Sequence, residues 1–226
     1  MISVIIPTMW KYEPFIEFLY DLCDHSLVEE IIIIDNSPKD RPEDFILSNQ
    51  KVKIKSFPDN IFVNKAWNVG MDFSKNDVNC IISDSTIFDL RIFRKVYPYV
   101  HPNVGVVGLN SNNEMTGKID IKKFNPGDST ADFFKCFFVN KRSWIKIPEQ
   151  LDLYFGDDFI FNTCLLKGKD IFIINNLFCD ILHGYTTGKI QNVKNIFEND
   201  KNEYRKILIQ QGFNPKTFSP MHFKDD

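Results

Sequence analysis

Between residues 31 and 38 the chain reads Ile31-Ile32-Ile33-Ile34-Asp35-Asn36-Ser37-Pro38. Four consecutive branched apolar residues are typical of a β-strand that is covered on both faces, as strands of parallel sheets are. The polar cluster that follows them is a turn signal, so the strand ends close to Asp35. We therefore expect a parallel sheet with helices on both faces, and Asp35 at the carboxyl edge of one strand.

Strand and helix patterns alternate on either side of this run. An apolar strand is predicted over residues 2–6, and a helix with apolar residues at helical spacing follows from Pro14, a residue suited to a first helical turn. Further strands are expected at 52–57 and 79–82, with a helix over residues 64–74 between them. This repetition predicts an α/β fold whose mostly parallel central sheet is flanked by helices.

The second half of the chain is less regular. An amphipathic helix is predicted over residues 198–211, and Gly212 follows it. With no internal repeat or low-complexity linker, we expect one domain at 1–197 and a docked C-terminal helix and tail at 198–226. The other predicted elements are a helix at 90–100, a strand at 104–109, a loop or short hairpin within 110–130, a strand at 131–139, a helix at 157–167 and a strand at 171–174.

Bulk composition excludes several classes of protein. The 226 residues are 43% hydrophobic with a net charge of −3, which argues against a disordered chain and against a strongly basic nucleic-acid binder. No run approaches the roughly 20 apolar residues of a membrane helix, and the N-terminus resembles a strand more than a signal peptide. The five cysteines are scattered without a C-x-x-C pair, so we expect reduced thiols and a cytoplasmic location.

Polar residues with reactive side chains follow several apolar segments. Asp84 closes an apolar strand, His183 follows another, and Asp157 and Asp158 lie between aromatic residues where a helix is predicted to begin. Ligands of open α/β sheets bind beyond the carboxyl ends of strands, and a carboxyl group shielded by aromatic residues can be tuned as a proton acceptor. We therefore expect an enzyme. Structural alternatives remain open, namely an Asx-turn at Asp35, an acidic first turn that stabilises the helix dipole at Asp157 and Asp158, and a structural histidine.

In order and spacing, these segments resemble the family 2-like glycosyltransferases of the GT-A fold, over residues 2–189. The resemblance is carried by Ser3-Val4-Ile5-Ile6-Pro7-Thr8, by the run that ends at Asp35-Asn36-Ser37, by residues 60–70, by residues 137–143 and by Gly156-Asp157-Asp158. Residues 60–70 match the family pattern N-x-G-x-A-x-A-x-N-x-G at Asn60, Ala66, Asn68 and Gly70. Phe62 and Asn64 depart from that pattern.

The resemblance implies a role for each site residue. Asp158 would be the catalytic base, and the adjacent Asp157 would position the acceptor or act electrostatically. A divalent cation, Mn²⁺ or Mg²⁺, would be held by Asp84 and His183, although Ser83-Asp84-Ser85 has one acid where the family has D-x-D. The residues expected to bind the donor are Thr8, Asp35, Asn36, Lys65, Asn68, Asp84 and Lys189.

The implied activity is inverting transfer of a hexose-type sugar from a nucleotide-sugar donor, UDP-linked in our expectation, to an acceptor hydroxyl. The acceptor would be a glycan, a protein or a modified nucleic-acid base. One alternative is a catalytically silent nucleotide-sugar-binding module, which the single acid of Ser83-Asp84-Ser85 favours. A second is a sugar-phosphate nucleotidyltransferase, but that chemistry needs a glycine-rich loop after the first strand, and residues 7–12 contain no glycine.

Overall fold

A computed structural model describes residues 1–42, 49–110, 118–125, 135–181, 190 and 192–212. Strands and helices alternate through the first half of the chain, as the sequence patterns predict. The strands are β1 (Ile2–Thr8), β2 (Val28–Asp35), β3 (Val52–Ser56), β4 (Val78–Ile82), β5 (Thr86–Phe88), β6 (Val104–Leu109), β7 (Asp120–Lys123), β8 (Cys136–Asn140), β9 (Asp170–Asn175) and β10 (Cys179–Ile181). The helices are α1 (Pro14–Asp24), α2 (Phe62–Phe73), α3 (Ile92–Val96), α4 (Gly156–Leu166) and α5 (Val193–Gln210).

Eight strands form the central sheet, in the order β3-β2-β1-β4-β8-β6-β9-β7. The first four strands in this order run parallel, and so do β6 and β9. Strand β8 is antiparallel to both of its neighbours, and the edge strand β7 is antiparallel to β9. The expected α/β fold with a mostly parallel central sheet flanked by helices is confirmed.

Both faces of the sheet are covered because each strand sends alternate residues to opposite sides. Val4 and Ile6 of β1 pack with α1 in one buried cluster, whereas Ile5 packs with α2 in another. A Cβ atom added to Gly70 of α2 would lie 2.2 Å from Cγ2 of Ile5. Helix α2 therefore approaches β1 more closely than any residue with a side chain would allow at this position.

Several predicted elements need correction in detail. The predicted helix at 90–100 is shorter, because α3 ends at Val96 and a 3-10 turn that contains Pro98 follows it. The segment expected to be a loop or hairpin contains the edge strand β7, and a small antiparallel sheet of β5 and β10 was not predicted. Helix α5 begins at Val193, ahead of the start predicted for it at residue 198. The predicted strand at 131–139 is found as β8, and residues 131–134 lie outside the described part.

In the described ranges, no helix combines the length and the apolar character needed to cross a membrane.

Candidate active site

The carboxyl ends of β1 and β4 are joined by a buried hydrogen bond. Oγ1 of Thr8, the last residue of β1, donates to Oδ2 of Asp84 over 2.8 Å, and the backbone N–H of Met9 donates to the same oxygen over 3.3 Å. Asp84 is only 5% exposed. Because parallel strands end at one edge of the sheet, two residues separated by 76 positions in the chain meet here.

Asp35 ends β2 beside this pair and is fully buried. Its Oδ1 accepts hydrogen bonds from the indole Nε1 of Trp10 (2.8 Å) and from the backbone N–H of Ser37 (3.1 Å). Its Oδ2 lies 3.3 Å from the Ser56 hydroxyl and 3.5 Å from the Arg41 guanidinium. The Asx-turn foreseen as a structural alternative is thus present, but the carboxylate also binds side chains from three other segments. It is a fixed negative charge at the same edge as Asp84.

Trp10 is a site residue that the sequence reasoning missed. It lies in the turn after β1, where its own backbone N–H donates to Oγ1 of Thr8 over 2.9 Å. Its φ of 59° is in the left-handed region, which a bulky residue rarely adopts. Trp10 therefore connects the Thr8–Asp84 pair to Asp35. The only sequence signal for it was an aromatic residue two positions after a strand end.

The start of α2 closes the next side of the site. The backbone N–H of Asn36 donates to the carbonyl of Thr8, and Oδ1 of Asn36 accepts from the N–H of Ile61 over 3.4 Å. Oδ1 of Asn60 accepts from the N–H of Phe62, whose φ is 62°. The family pattern has glycine where this chain has Phe62, and the left-handed backbone explains why glycine suits the position.

The acidic segment begins α4. Oδ1 of Asp157 accepts the backbone N–H of Asp158 over 3.0 Å, which is the first-turn role foreseen as a structural alternative. Asp158, in contrast, is only 3% exposed, and a residue that merely favours the helix dipole has no need of such burial. Phe155, directly before the helix, is buried and has a φ of 61°. The two acids therefore differ in environment, and Asp158 is the one enclosed by the protein.

Asn64 joins the acidic segment to the first turn of α2. Its backbone N–H donates to the carbonyl of Asp152 over 3.2 Å, and its Nδ2 donates to the carbonyl of Tyr154 over 3.1 Å. A Cβ atom added to Gly156 would lie 2.0 Å from Oδ1 of Asn64. The departure of Asn64 from the family pattern thus coincides with a direct contact to the segment that carries Asp158.

Two predicted donor residues on α2 are engaged with other parts of the chain. The ammonium of Lys65 lies 3.2 Å from Oδ1 of Asp152, and both side chains are partly exposed. The buried amide of Asn68 donates to the carbonyl of Ile147 (2.9 Å) and accepts from the N–H of the same residue (3.0 Å). Both polar atoms of Asn68 therefore fix the segment around Ile147, and its expected role in donor binding stays a prediction. His183 and Lys189 lie outside the described residues.

Asp200, on α5, is a second residue that the sequence reasoning missed. It is 1% exposed, and its carboxylate accepts the backbone N–H groups of Asp152, Leu153 and Tyr154 at 2.8–3.1 Å. These three residues lie directly before Phe155 and the acidic segment. The amphipathic pattern of α5 foretold a buried face but not a carboxylate on it.

Comparison with known proteins agrees with this geometry. Residues 3–108, which span β1 to β6, match glycosyl transferase family 2. A crystal structure of GalNAc-T7 with UDP, GalNAc and Mn²⁺ superposes on 81% of this chain and 44% of that one, with a TM-score of 0.65 and 11% identity. Over residues 3–108 the chain therefore resembles glycosyl transferase family 2, and its fold is the GT-A fold. Crystal structures of S. aureus TarS 1-349, one of them in complex with UDP, cover 76% of this chain with a TM-score of 0.55, at 15% and 16% identity.

The chain spans about half the length of the solved structures that it matches, 57% for TarS 1-349 and 44% for GalNAc-T7. At such low identity these neighbours establish the fold alone. No curated protein matches this sequence significantly.

The carboxylate of Asp84 has the oxygen atoms that a hard divalent cation prefers as ligands. A carboxylate oxygen is the ligand that Mg²⁺ and Mn²⁺ prefer, and such a cation needs only one or two protein carboxylates when phosphate oxygens complete its shell. The residues described here contain no group of three or more His, Cys, Asp or Glu side chains placed to hold a metal. Asp84 could therefore serve as a protein ligand of such a cation.

Proposed function

We propose that this chain is a glycosyltransferase that moves a hexose-type sugar from a UDP-linked donor to an acceptor hydroxyl with inversion at the anomeric carbon, and that Asp158 is the general base. The observation that supports it most is the burial of Asp158 in the first turn of α4, a segment that Asn64 connects to the start of α2. A buried carboxylate can accept a proton from a bound hydroxyl without competition from bulk water.

The donor would lie across the ends of β1, β2 and β4. Asp35 and Asn36 offer acceptors and donors to the base and ribose, and the indole of Trp10 provides an apolar surface beside them. Asp84 and His183 would hold a divalent cation, which supplies charge neutralisation for the departing diphosphate. Lys65 and Lys189 remain candidates for contacts to the diphosphate oxygens.

The transfer step needs a proton acceptor on the face opposite the diphosphate. Asp158 removes the proton of the acceptor hydroxyl while the oxygen of that hydroxyl forms a bond to the anomeric carbon. The bond between that carbon and the diphosphate oxygen breaks, and UDP leaves with the electron pair. Asp157, whose carboxylate sits at the start of α4, would orient the acceptor. Attack opposite the leaving group inverts the configuration.

Two further parts of the proposal concern the acceptor and the domain organisation. The acceptor hydroxyl would belong to a glycan, a protein or a modified nucleic-acid base. Residues 1–197 would form the catalytic domain, and residues 198–226 would form a C-terminal helix and tail docked on it. The named solved structures support the donor class, since TarS 1-349 was crystallised with UDP and GalNAc-T7 with UDP, GalNAc and Mn²⁺.

Replacing Asp158 with asparagine tests the base role. We expect Asp158→Asn to lower transfer by at least about 10²-fold, because a positioned base contributes roughly 10²–10⁴-fold, and to leave UDP affinity within about two-fold. The matched control is Asp77→Asn. Asp77 has a 61% exposed side chain and precedes β4, at the edge of the sheet opposite Asp84. Equal loss of transfer and of UDP binding in Asp158→Asn would contradict the base role.

Two measurements on the unmodified chain separate the alternatives. Isothermal titration with UDP, with and without Mn²⁺, measures donor binding, and release of UDP from a panel of nucleotide-sugars measures turnover. Binding without turnover on any donor would indicate a silent binding module. Pyrophosphate released from a nucleoside triphosphate and a sugar phosphate would indicate a nucleotidyltransferase.

A further inference from the structure

Helix α5 presents a buried carboxylate to the backbone that leads into the acidic segment. Asp200 is 1% exposed, and three consecutive N–H groups at residues 152–154 converge on its two oxygens at 3.1, 2.8 and 2.8 Å. A buried charge is costly unless hydrogen bonds compensate it, and three N–H donors at a carboxylate do so. The same bonds fix the path of a segment that has no regular secondary structure of its own.

Aromatic residues on the same face of α5 hold the next residue, Phe155. The ring of Tyr204 stacks on that of Phe155 at a centroid distance of 5.3 Å and an interplanar angle of 13°. Phe197 also contacts Phe155 at 5.5 Å and meets the ring of Tyr154 edge-on at 5.0 Å. Positions 197, 200 and 204 follow helical spacing, so one face of α5 carries all three contacts.

The backbone of Phe155 needs such support. A left-handed conformation costs a residue with a side chain roughly 1–2 kcal/mol, and it persists only where the surroundings determine it. Phe155 has a φ of 61°, and α4 begins at the next residue, Gly156. The direction in which the Asp158 side chain projects from the first turn of α4 therefore depends on the backbone conformation of Phe155. Contacts with α5 support that conformation.

Tyr204 also lies in the electrostatic field of Asp158. Its hydroxyl oxygen accepts a hydrogen bond from Nδ2 of Asn162 over 2.5 Å, and the side chain is fully buried. Burial above all, and then the negative charge of Asp158, raise the pKa of Tyr204 far above its ordinary value of 10.0. Tyr204 is thus a neutral phenol that stays protonated next to the carboxylate.

We propose that Asp200 and Tyr204 are positioning residues for the Asp158 carboxylate, which makes α5 a working part of the active site. This inference rests on the proposed function. Asp200 fixes the backbone of residues 152–154, and Tyr204 fixes Phe155 through its ring and α4 through the bond between its hydroxyl and Asn162. Together they set where the base stands relative to a bound acceptor. A misplacement of about 1 Å in a reacting group can lower a rate by as much as 10²-fold.

The test compares two conservative variants with matched controls on the purified chain. Asp200→Asn removes the charge, and Glu203→Gln makes the same chemical change on the same helix, where Glu203 pairs with Lys206 at 2.7 Å. Tyr204→Phe keeps the stacked ring and removes the hydroxyl, and Tyr20→Phe is its control on an exposed tyrosine. Each variant is assayed for kcat and for UDP affinity, well below its own thermal midpoint.

We expect kcat to fall at least about ten-fold in Asp200→Asn and by a smaller factor in Tyr204→Phe, with UDP affinity within about two-fold of the parent chain. A merely structural role would lower stability without separating kcat from donor binding. Unchanged kcat in both variants, alongside an inactive Asp158→Asn, would overturn the positioning role and leave the proposed function intact. Absence of transfer by the parent chain would overturn the proposed function and this role with it.

Discussion

Replacing Gly156 with alanine should destabilise the fold through one identifiable contact. The new Cβ atom would lie 2.0 Å from Oδ1 and 2.5 Å from Cγ of Asn64, well inside van der Waals distance. The Asn64 side chain must therefore move. It is 1% exposed and donates to the carbonyl of Tyr154 over 3.1 Å, so movement breaks a buried hydrogen bond.

The magnitude follows from these two effects. Loss of the hydrogen bond costs about 1 kcal/mol, and overpacking a well-filled interior costs about 1–3 kcal/mol. We expect Gly156→Ala to lower the free energy of unfolding by about 2–4 kcal/mol, a large part of the total stability of a typical domain. Urea unfolding measures this quantity as a lower midpoint at an unchanged slope.

A double-mutant cycle identifies the cause. Asn64→Ala alone loses the bond to Tyr154 but removes the atoms that clash, so the double variant Asn64→Ala/Gly156→Ala should be more stable than the sum of the single effects by at least about 1 kcal/mol. A loss below about 0.5 kcal/mol in Gly156→Ala would refute the steric reasoning. Strict additivity in the cycle would refute the assignment to Asn64.

Two further predictions concern the strained backbone and a buried charge. Phe62→Gly should be more stable than Phe62→Ala by about 1 kcal/mol in urea unfolding, because both lack the ring and only glycine favours a φ of 62°; the reverse order would contradict left-handed strain. Burial raises the pKa of Glu30, but hydrogen bonds from Lys53, a hydroxyl and a backbone N–H outweigh it and leave the pKa below its ordinary value of 4.5. The stabilisation by the Glu30 carboxylate is therefore complete at a pH above its ordinary pKa of 4.5, and it is lost as the pH falls through the lower pKa that Glu30 has in the folded protein. Glu30→Gln should cost about 2–3 kcal/mol at pH 7 and unfold with a weaker acid dependence, unlike the exposed control Glu29→Gln; an unchanged acid dependence would contradict this role.

The sequence predicted much of the carboxyl edge of the sheet because its signals are local. An unbroken apolar run predicts a strand covered on both faces, and a polar residue at its end must lie at the edge of the sheet. Asp35 and Asp84 were placed correctly for this reason, and Thr8 and Asp84 do meet there. The burial of Asp158 was likewise foreseen from the aromatic residues around it.

The partners of these groups could not be predicted, because they come from distant positions and carry no local signal. Trp10 reaches Asp35 across 25 positions and Asp200 reaches Leu153 across 47. The helical pattern at 90–100 predicted a helix longer than α3. The direction of β8, which is antiparallel between β4 and β6, has no sequence signature that distinguishes it from a parallel strand.

Taken alone, the sequence determined the alternation of strands and helices and the edge at which the acids stand, since both follow from the spacing of apolar residues within short segments. Only the tertiary structure decided that Trp10, Phe62 and Phe155 adopt left-handed backbones and that α5 holds the acidic segment. The physical reason is that a strained backbone or a buried carboxylate is stable only when groups far apart in the chain pack around it and satisfy its hydrogen bonds.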